Sequence, residues 1–274
     1  MAEALDIFEN TLSRLGLKTD FDVFLMIMAL LGARILSALT LTPFFGGKVA
    51  PAQARAGLAV ILALLIYPSV PEPAGVGATS FVALLVKEVL IGFVLGLLTQ
   101  FVFAAVEMAG ALVDFLRGAQ ADAILAPQFS SRVSPLGQLK LQAALALALT
   151  LNGHLFFIRG LERSFGAFPI WEFLPGSSGV DRQAVRVAVV FAQTFQAAVE
   201  MAAPAAIAIL LIDAAFGVLQ RLVPSISVEE QAGRPLKMLL GIAALLLSLG
   251  VFLERFINLF WTIVGQGFDL LRPR

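Results

Sequence analysis

Residues 81–113 read FVALLVKEVLIGFVLGLLTQFVFAAVEMAGALV, an almost wholly apolar stretch that nevertheless contains Lys87, Glu88 and Glu107. An ionisable group at the middle of a bilayer costs roughly 2.5–3.5 kcal/mol on insertion scales. Such groups must therefore face a bundle interior, an aqueous cavity or a protein partner. The same argument applies to ionisable residues in the other apolar stretches. We predict buried or interface positions for Arg34, Glu88, Glu107, Asp114, Glu200 and Asp213.

The composition is typical of a membrane protein. Hydrophobic residues make up 59% of the 274 residues, charged residues make up 14%, and the mean hydropathy is +0.92. Soluble domains average about 45–50% apolar and about 25% charged residues. The net charge is zero, which gives no indication of nucleic-acid binding, and the absence of cysteine excludes disulfides and thiolate metal ligands. We expect a multi-pass protein in contact with membrane lipid.

The apolar stretches are separated by glycine- and proline-rich connections, and this pattern predicts an all-α fold of membrane-associated hairpins. About six long apolar helices are predicted, at residues 21–41, 52–66, 80–116, 138–158, 182–222 and 236–264. We treat residues 1–274 as a single membrane domain, with an N-terminal half at about 21–137 and a C-terminal half at about 138–264.

The third predicted helix is too long for a simple span. At 1.5 Å per residue it approaches about 55 Å, whereas a hydrocarbon core is about 30 Å thick. It must protrude, tilt strongly or break, and Gly92, Gly96 and Gly110 are the candidate breaks. Gly92 and Gly96 also match the small-residue spacing of close helix packing, and Arg34 is a candidate partner for the neighbouring Glu88.

The C-terminal end of the same stretch carries a polar face. Glu107, Asp114 and Arg117 follow one another at intervals of seven and three residues, which places them on one side of a helix. Two interpretations are open: a polar strip that lines a pore or subunit joint, or a salt-bridged helix end emerging into water. We favour the second for Asp114 and Arg117 and the first for Glu107.

No pattern of catalytic residues is found. His154 is the only histidine, so no HExxH zinc site can form, and Gly46-Gly47-Lys48 lacks the spacing of a phosphate-binding loop. We expect no enzymatic activity, no cofactor and no metal site.

Residues 117–137, RGAQADAILAPQFSSRVSPLG, join two apolar helices with small and polar side chains. Irregular backbone at membrane depth is tolerated only inside protein or beside water. The segment is therefore either a surface loop or a constriction. As a constriction, its candidate gating residues are Arg117, Gly118, Ala119, Ile124, Leu125, Pro127, Ser134 and Pro135.

The order of several motifs resembles one protein family. After an arginine in the first helix come PFFGGKVAPAQARAGLA at 43–59, DFLRGAQADAILAPQFSSRVSPLG at 114–137, NGHLFFIRGLERSFGAFPI at 152–170, LIDAAFGVLQRLVP at 211–224 and RPLKMLLG at 234–241. Together these motifs, over roughly residues 25–245, resemble the FliR/SctT family of the type III secretion export gate.

The resemblance implies a hetero-oligomeric helical gate in the bacterial inner (cytoplasmic) membrane, at the channel entrance through which unfolded proteins pass. The implied partners are membrane proteins of the FliP/SctR and FliQ/SctS types, the large export-gate protein and the secreted substrates. It also implies that the segment matching 117–135 forms a plug, and we call these residues the plug segment.

The subtype and one alternative function remain to be distinguished. Residues 117–119 and 134–137 look more like injectisome members, whereas 43–46 and 152–154 look more like flagellar ones, and we slightly favour the injectisome type. The alternative is a secondary transporter that uses buried Glu107 and Glu200 as ion or proton sites, since buried acids in long helices suit that class.

Overall fold

The computed structural model describes residues 21–46, 50–71, 78–117, 134–173, 177–222 and 249–270, with 239, 242, 243 and 246. Seven α-helices are present in these ranges: α1 Phe21–Leu41, α2 Ala52–Ile66, α3 Ala78–Leu116, α4 Pro135–Thr150, α5 Gly153–Ala167, α6 Ser177–Leu222 and α7 Leu249–Leu270. A 3₁₀ turn, Tyr67–Ser69, follows α2. The described residues contain no strand, and the predicted all-α fold is confirmed.

Helices α1 and α2 have the predicted bounds, and α3 begins two residues earlier than predicted. The 39 residues of α3 form one helix, so none of the three candidate glycine breaks is used. At 1.5 Å per residue it is about 58 Å long, well beyond a hydrocarbon core of about 30 Å.

The predicted fourth helix, 138–158, is wrong in its extent, because the structure has two helices there. Helices α4 and α5 meet at a 70° bend between Thr150 and Gly153. At the bend Asn152 adopts the left-handed conformation, with φ of 59°. Asparagine tolerates this conformation better than most residues, and Gly153 follows it. The bend lets α5 continue to Ala167, into a stretch predicted to be loop.

The last two helices also differ from their predicted bounds. Helix α6 begins at Ser177, five residues before the predicted start, and includes Pro204 without ending there. Helix α7 is described from Leu249 to Leu270, whereas the prediction was 236–264. Most of the predicted first half of that helix lies outside the described residues.

Among the residues that the structure describes, four helical segments are long and apolar enough to cross a membrane. They lie at Phe21–Leu41, Ala52–Ser69, Ser80–Leu116 and Val187–Leu222, and the bent pair α4–α5 would make a fifth if it counts as one span.

The chain divides into two compact units. The first comprises the described residues within 1–100, 152–186 and 264–274. In this unit α1, α2, α3 and α5 share one apolar core, whose fully buried members include Leu30, Leu31, Ile35 and Leu84. Phe24 packs edge-on against Tyr67 with ring centroids 5.1 Å apart.

The second unit comprises the described residues within 101–151 and 187–263. An aromatic column on α7 occupies its core, because Phe252, Phe256 and Phe260 recur every four residues and therefore lie on one helix face. Phe103 of α3 packs against Phe256 with ring centroids 6.0 Å apart. Met201 and other small or apolar residues of α6 are buried in the same core.

Within the first unit, α1 and α3 pack closely at two glycines. A Cβ atom on Gly96 would lie 2.7 Å from the Ala38 carbonyl oxygen, and one on Gly92 would overlap the Arg34 carbonyl and the Ser37 hydroxyl. The predicted tight packing at these two glycines is confirmed, and it takes place within the chain.

We expect Gly92→Ala to destabilise the protein by about 1–3 kcal/mol, because the added methyl group would push α1 away from α3. The loss should appear as a lower melting temperature of the detergent-purified protein by circular dichroism. Gly32→Ala in α1 is the matched control, because its Cβ would meet no atom within 4 Å. We expect the control to be neutral or stabilising by about 0.5–1 kcal/mol. Equal melting temperatures for the two variants would contradict the close packing.

Candidate functional site

Arg34, Lys87 and Glu88 form a buried charged cluster, here called the α1–α3 cluster, in the first unit. The Arg34 guanidinium donates to both oxygens of the Glu88 carboxylate, from Nε to Oε2 and from Nη2 to Oε1 at 2.9 Å. Lys87 Nζ lies 2.8 Å from Glu88 Oε1. Arg34 and Glu88 are both fully buried, so the predicted pairing of these two residues is confirmed.

The remaining donors of the α1–α3 cluster bind the backbone at the end of α5. Arg34 donates to the carbonyl oxygens of Ser164 at 2.8 Å and Phe168 at 2.7 Å, and its guanidinium lies 4.2 Å from the Phe165 ring centroid. The carbonyl oxygens that end a helix lack partners within the helix and carry partial negative charge, so a cation is stabilising there.

Lys87 completes this arrangement by binding the loop after α5. Its ammonium donates to the carbonyl oxygens of Pro169, Ile170 and Glu172 at 2.8–3.0 Å. The two cations thereby hold the end of α5 and its following loop against α3. The sequence analysis noted Lys87 but did not assign it a partner, because contacts with backbone carbonyl oxygens cannot be inferred from residue types.

A second cluster, here called the Asp114 cluster, joins α3 to the start of α4 in the second unit. The Asp114 carboxylate accepts from Arg117 Nε at 2.7 Å, from the Leu136 backbone N–H at 2.9 Å and from the Ser134 hydroxyl. Ser134 also caps α4 by accepting from the Gly137 N–H at 2.9 Å. A buried carboxylate is satisfied by several such donors.

The Asp114 cluster fixes both ends of the plug segment. Arg117 stands at the beginning of that segment and Ser134 near its end, and both bind the same carboxylate. Helices α3 and α4 meet closely here, since a Cβ atom on Gly137 would lie 3.1 Å from the Glu107 carbonyl oxygen. The predicted Asp114–Arg117 pair is confirmed, but Asp114 is fully buried and does not emerge into water.

Of the other plug-segment candidates, Pro135 is the first residue of α4, where proline is favoured because its fixed φ suits a helix start. Gly118, Ala119, Ile124, Leu125 and Pro127 lie outside the described residues. The Ser-Pro signal at 134–135 could have located the cap from sequence, because serine is a preferred N-cap residue.

Glu107 is not buried within this chain, so of the two predicted alternatives, a buried or an interface position, only the interface position remains for it. Its side chain is exposed, whereas its neighbours Val106 and Ala109 are buried. The physical reason is that α3 packs in this region through the face bearing Val102, Phe103 and Val106, and Glu107 lies to the side of it. A partner-facing position for Glu107 stays a prediction.

Glu200 and Asp213 on α6 are partly exposed, and an interface position stays a prediction for both. They lie on a helix whose membrane-length part is only 17% buried, which explains the exposure. Glu200 pairs with Arg255 of α7, Nη1 to Oε2, at 3.3 Å. Sequence reasoning missed Arg255, whose position beside Glu200 depends on how α6 and α7 pack.

Helices α6 and α7 form a polar groove of about 230 Å³ around this pair. Its polar residues are Gln193, Gln196 and Glu200 on α6 and Arg255, Asn258 and Thr262 on α7. Both sets are spaced by three and then four residues, which is the spacing of one helix face. That spacing was available in the sequence. In the part of the chain that the structure describes, no three His, Asp or Glu side chains lie together as a metal site would require.

These features define an all-α integral membrane protein whose buried residues Arg34, Glu88 and Asp114 are paired with groups of the same chain. Comparison with known proteins gives the family. The sequence model described as "Bacterial export proteins, family 1" matches residues 25–263, and the chain therefore belongs to this family.

The similar proteins include both flagellar and secretion-system members. The chain is 30% identical over 252 residues to flagellar biosynthetic protein FliR of Bacillus subtilis, covering 92% of this chain and 95% of that protein. It is 29% identical over 239 residues to FliR of Escherichia coli, covering 85% and 89%. It is 32% identical over 196 residues to Yop proteins translocation protein T of Yersinia pestis, covering 70% and 73%. The resemblance to the FliR/SctT family is confirmed, and the chain is a component of a type III export apparatus.

We expect Glu88→Ala to cost about 3–5 kcal/mol of folding free energy, because it leaves Arg34 and Lys87 as buried cations without their carboxylate. The measurement is the melting temperature of the detergent-purified chain. Glu107→Ala removes the same side chain from an exposed position of the same helix, and we expect this control to melt within about 0.5 kcal/mol of the parent. A Glu88→Ala protein as stable as Glu107→Ala would show that the α1–α3 cluster is dispensable for folding.

Proposed function

We propose that this chain forms part of the export gate of a type III secretion system in the bacterial inner membrane. In this role it lines part of the channel entrance through which unfolded substrates cross the membrane. The family assignment supports this proposal, and it favours an export component over the secondary transporter. The role is structural and calls for no catalytic residue.

The observation that carries the proposal is the extent of exposed apolar surface on α6. Large apolar side chains are exposed along this helix from Val185 to Leu222. At 1.5 Å per residue that distance is about 56 Å, nearly twice a hydrocarbon core of about 30 Å. Even a tilt of about 40° leaves more apolar length than lipid can cover. Other proteins must cover the remainder, as expected of a subunit in a larger assembly.

The partners that we propose are membrane proteins of the FliP/SctR and FliQ/SctS types, the large export-gate protein and the secreted substrates. Exposed Glu107 on α3 supports such contacts, because a glutamate on an apolar helix surface needs a polar neighbour. We assign Glu107, Glu200 and Asp213 to interfaces. Arg34, Glu88 and Asp114, buried within the chain, maintain its conformation.

Co-purification with co-expressed proteins of the FliP/SctR and FliQ/SctS types tests the proposal. We expect a stable complex with the parent chain and about tenfold lower recovery with Glu107→Ala, as the loss of about 1.4 kcal/mol at an interface would produce. Glu162→Ala, an exposed glutamate on α5, is the matched control and should leave recovery unchanged. A parent chain that purifies only by itself would contradict the proposed function.

We further propose that the plug segment, residues 117–135, closes the channel in the resting gate. The Asp114 cluster supports this proposal, because one carboxylate binds both Arg117 and Ser134. The two ends of the plug segment are thereby held close to each other. In the sequence, Ile124 and Leu125 supply apolar side chains that could exclude water from a narrow passage. A resting gate should rest on weak packing, so that an arriving substrate can displace it.

Deleting residues 119–126 should leave the complex assembled but more permeable to small ions. The deletion removes the apolar residues Ile124 and Leu125 and keeps the Asp114 cluster. Ion leakage of cells that express the complete gate is the measurement. Replacing 119–126 by eight glycine and serine residues keeps the length and removes Ile124 and Leu125, and it should leak as well. If both variants assemble and leak no more than the parent, the segment is only a connecting loop.

We place the chain with the injectisome type in preference to the flagellar type. This preference is supported by two short segments, Arg117-Gly118-Ala119 and residues 134–137, which look more like injectisome members. The similar proteins include members of both types, and the family assignment is common to them.

A further inference from the structure

The Asp114 carboxylate is fully occupied by donors of this chain. Its Oδ1 atom accepts from Arg117 Nε at 2.7 Å and lies 2.6 Å from Arg117 Nη2. Its Oδ2 atom accepts from the Leu136 backbone N–H at 2.9 Å and from the Ser134 hydroxyl. The two oxygens of a carboxylate offer about four acceptor positions, so these four groups fill them.

Lys140 is a buried cation beside the Asp114 cluster. Its ammonium is attracted by the Asp114 carboxylate, yet its Nζ atom has no hydrogen-bond partner among the described residues. The residue is only 7% exposed, and the Phe252 ring, with its centroid 5.4 Å from Nζ, is the contact that stabilises the charge. Arg117 and Lys140 are therefore two cations beside one carboxylate.

The place of Lys140 on α4 brings Asp114 within its reach. Residues four apart lie on the same face of a helix, and side chains point toward the N-terminus of the helix. Lys140 is four residues after Leu136, whose N–H binds Asp114. One helical turn rises about 5.4 Å, a distance that the four-carbon lysine side chain can span. The donors already on the carboxylate, rather than distance, therefore leave Lys140 without a hydrogen bond.

Arg117 and Lys140 differ in how firmly the fold holds them. Arg117 directly follows the last residue of α3 and begins the plug segment, so a displacement of that segment acts on it first. Lys140 lies inside α4 and packs against Phe252. Leaving a buried carboxylate without a cation is strongly unfavourable, so the loss of Arg117 from Asp114 calls for a replacement. Lys140 is the described cation placed to supply it.

We propose that Asp114 exchanges its cationic partner, from Arg117 in the conformation described above to Lys140 when Arg117 withdraws. This inference rests on the proposed function, because it takes the withdrawal of Arg117 to accompany the displacement of the plug segment. The exchange keeps the carboxylate paired, and it removes the excess positive charge from the cluster because Arg117 then enters water. Lys140 thereby lowers the free energy of the open gate.

A double-mutant cycle on the detergent-purified chain tests the exchange. We expect Arg117→Ala to lower the melting temperature by only about 2–4 °C, because Lys140 takes the place of Arg117. Lys140→Met removes a buried cation that makes no hydrogen bond, and it should leave the melting temperature unchanged or higher. The double variant leaves Asp114 without either cation and should melt at least about 6 °C below the parent.

Gln142→Leu, at an exposed position of α4, is the matched control for Lys140→Met, and its effect should simply add to that of Arg117→Ala. If the effects of Arg117→Ala and Lys140→Met also add, the exchange is wrong. A Lys140→Met chain that melts as low as Arg117→Ala would overturn it too, because Lys140 would then be needed while Arg117 is bound.

The structure of the Arg117→Ala chain gives a readout that does not depend on the double variant. We expect Lys140 Nζ to lie within about 4 Å of an Asp114 oxygen, the distance of an ion pair. An ammonium that stays beside the Phe252 ring and away from Asp114 would contradict the exchange.

Secretion by cells that express the complete gate tests what the exchange does there. Lys140→Met should assemble like the parent and secrete about tenfold less, the factor that a rise of about 1.4 kcal/mol in the free energy of opening produces. Gln142→Leu should secrete like the parent. Secretion at the parent level by Lys140→Met would overturn the role of Lys140 in opening.

The two proposals fail in different ways. If the parent chain does not co-purify with the other subunits, the proposed function is wrong. If the parent chain co-purifies and the melting temperatures of the cycle add, only the exchange is wrong.

Discussion

The requirement to satisfy ionisable groups inside apolar helices governs much of this structure, and the Arg34–Glu88 pair shows how it is met. Two charges removed from water regain only part of their hydration through mutual attraction, so their remaining donors need acceptors as well. Those acceptors are carbonyl oxygens at the end of α5 and in the loop after it. The buried cations of α1 and α3 thereby fix the position of the end of α5, which is distant from them in sequence.

The Asp114 cluster meets the same requirement differently. Its carboxylate accepts from the start of α4, where backbone N–H groups lack partners within the helix and the helix dipole favours negative charge. Lys140, one turn further along α4, is buried with its ammonium 5.4 Å from the Phe252 ring centroid, a favourable distance for a cation–π contact. In both clusters a helix end serves as the counterpart of a charged side chain.

The sequence was a good guide to local features and a poor one to packing. The bounds of α1 and α2 and the pairs Arg34–Glu88 and Asp114–Arg117 were predictable, because helix period, proline positions and the cost of buried charge determine them. The bend at Asn152 was missed because a single left-handed residue leaves no periodic signal. The sequence left open whether Glu107 is buried in this chain or faces a partner, because lipid-facing, partner-facing and buried helix faces are all apolar and hydropathy does not distinguish them.

The polar sites differ in whether groups of this chain satisfy them. The α1–α3 cluster and the Asp114 carboxylate are satisfied by groups of this chain, so they can stabilise it without help. Glu107, by contrast, is exposed on an apolar helix. Membranes penalise such groups whenever lipid surrounds them. If the function proposed above is correct, a neighbouring subunit supplies the polar partner of Glu107, whereas the two charged clusters need none.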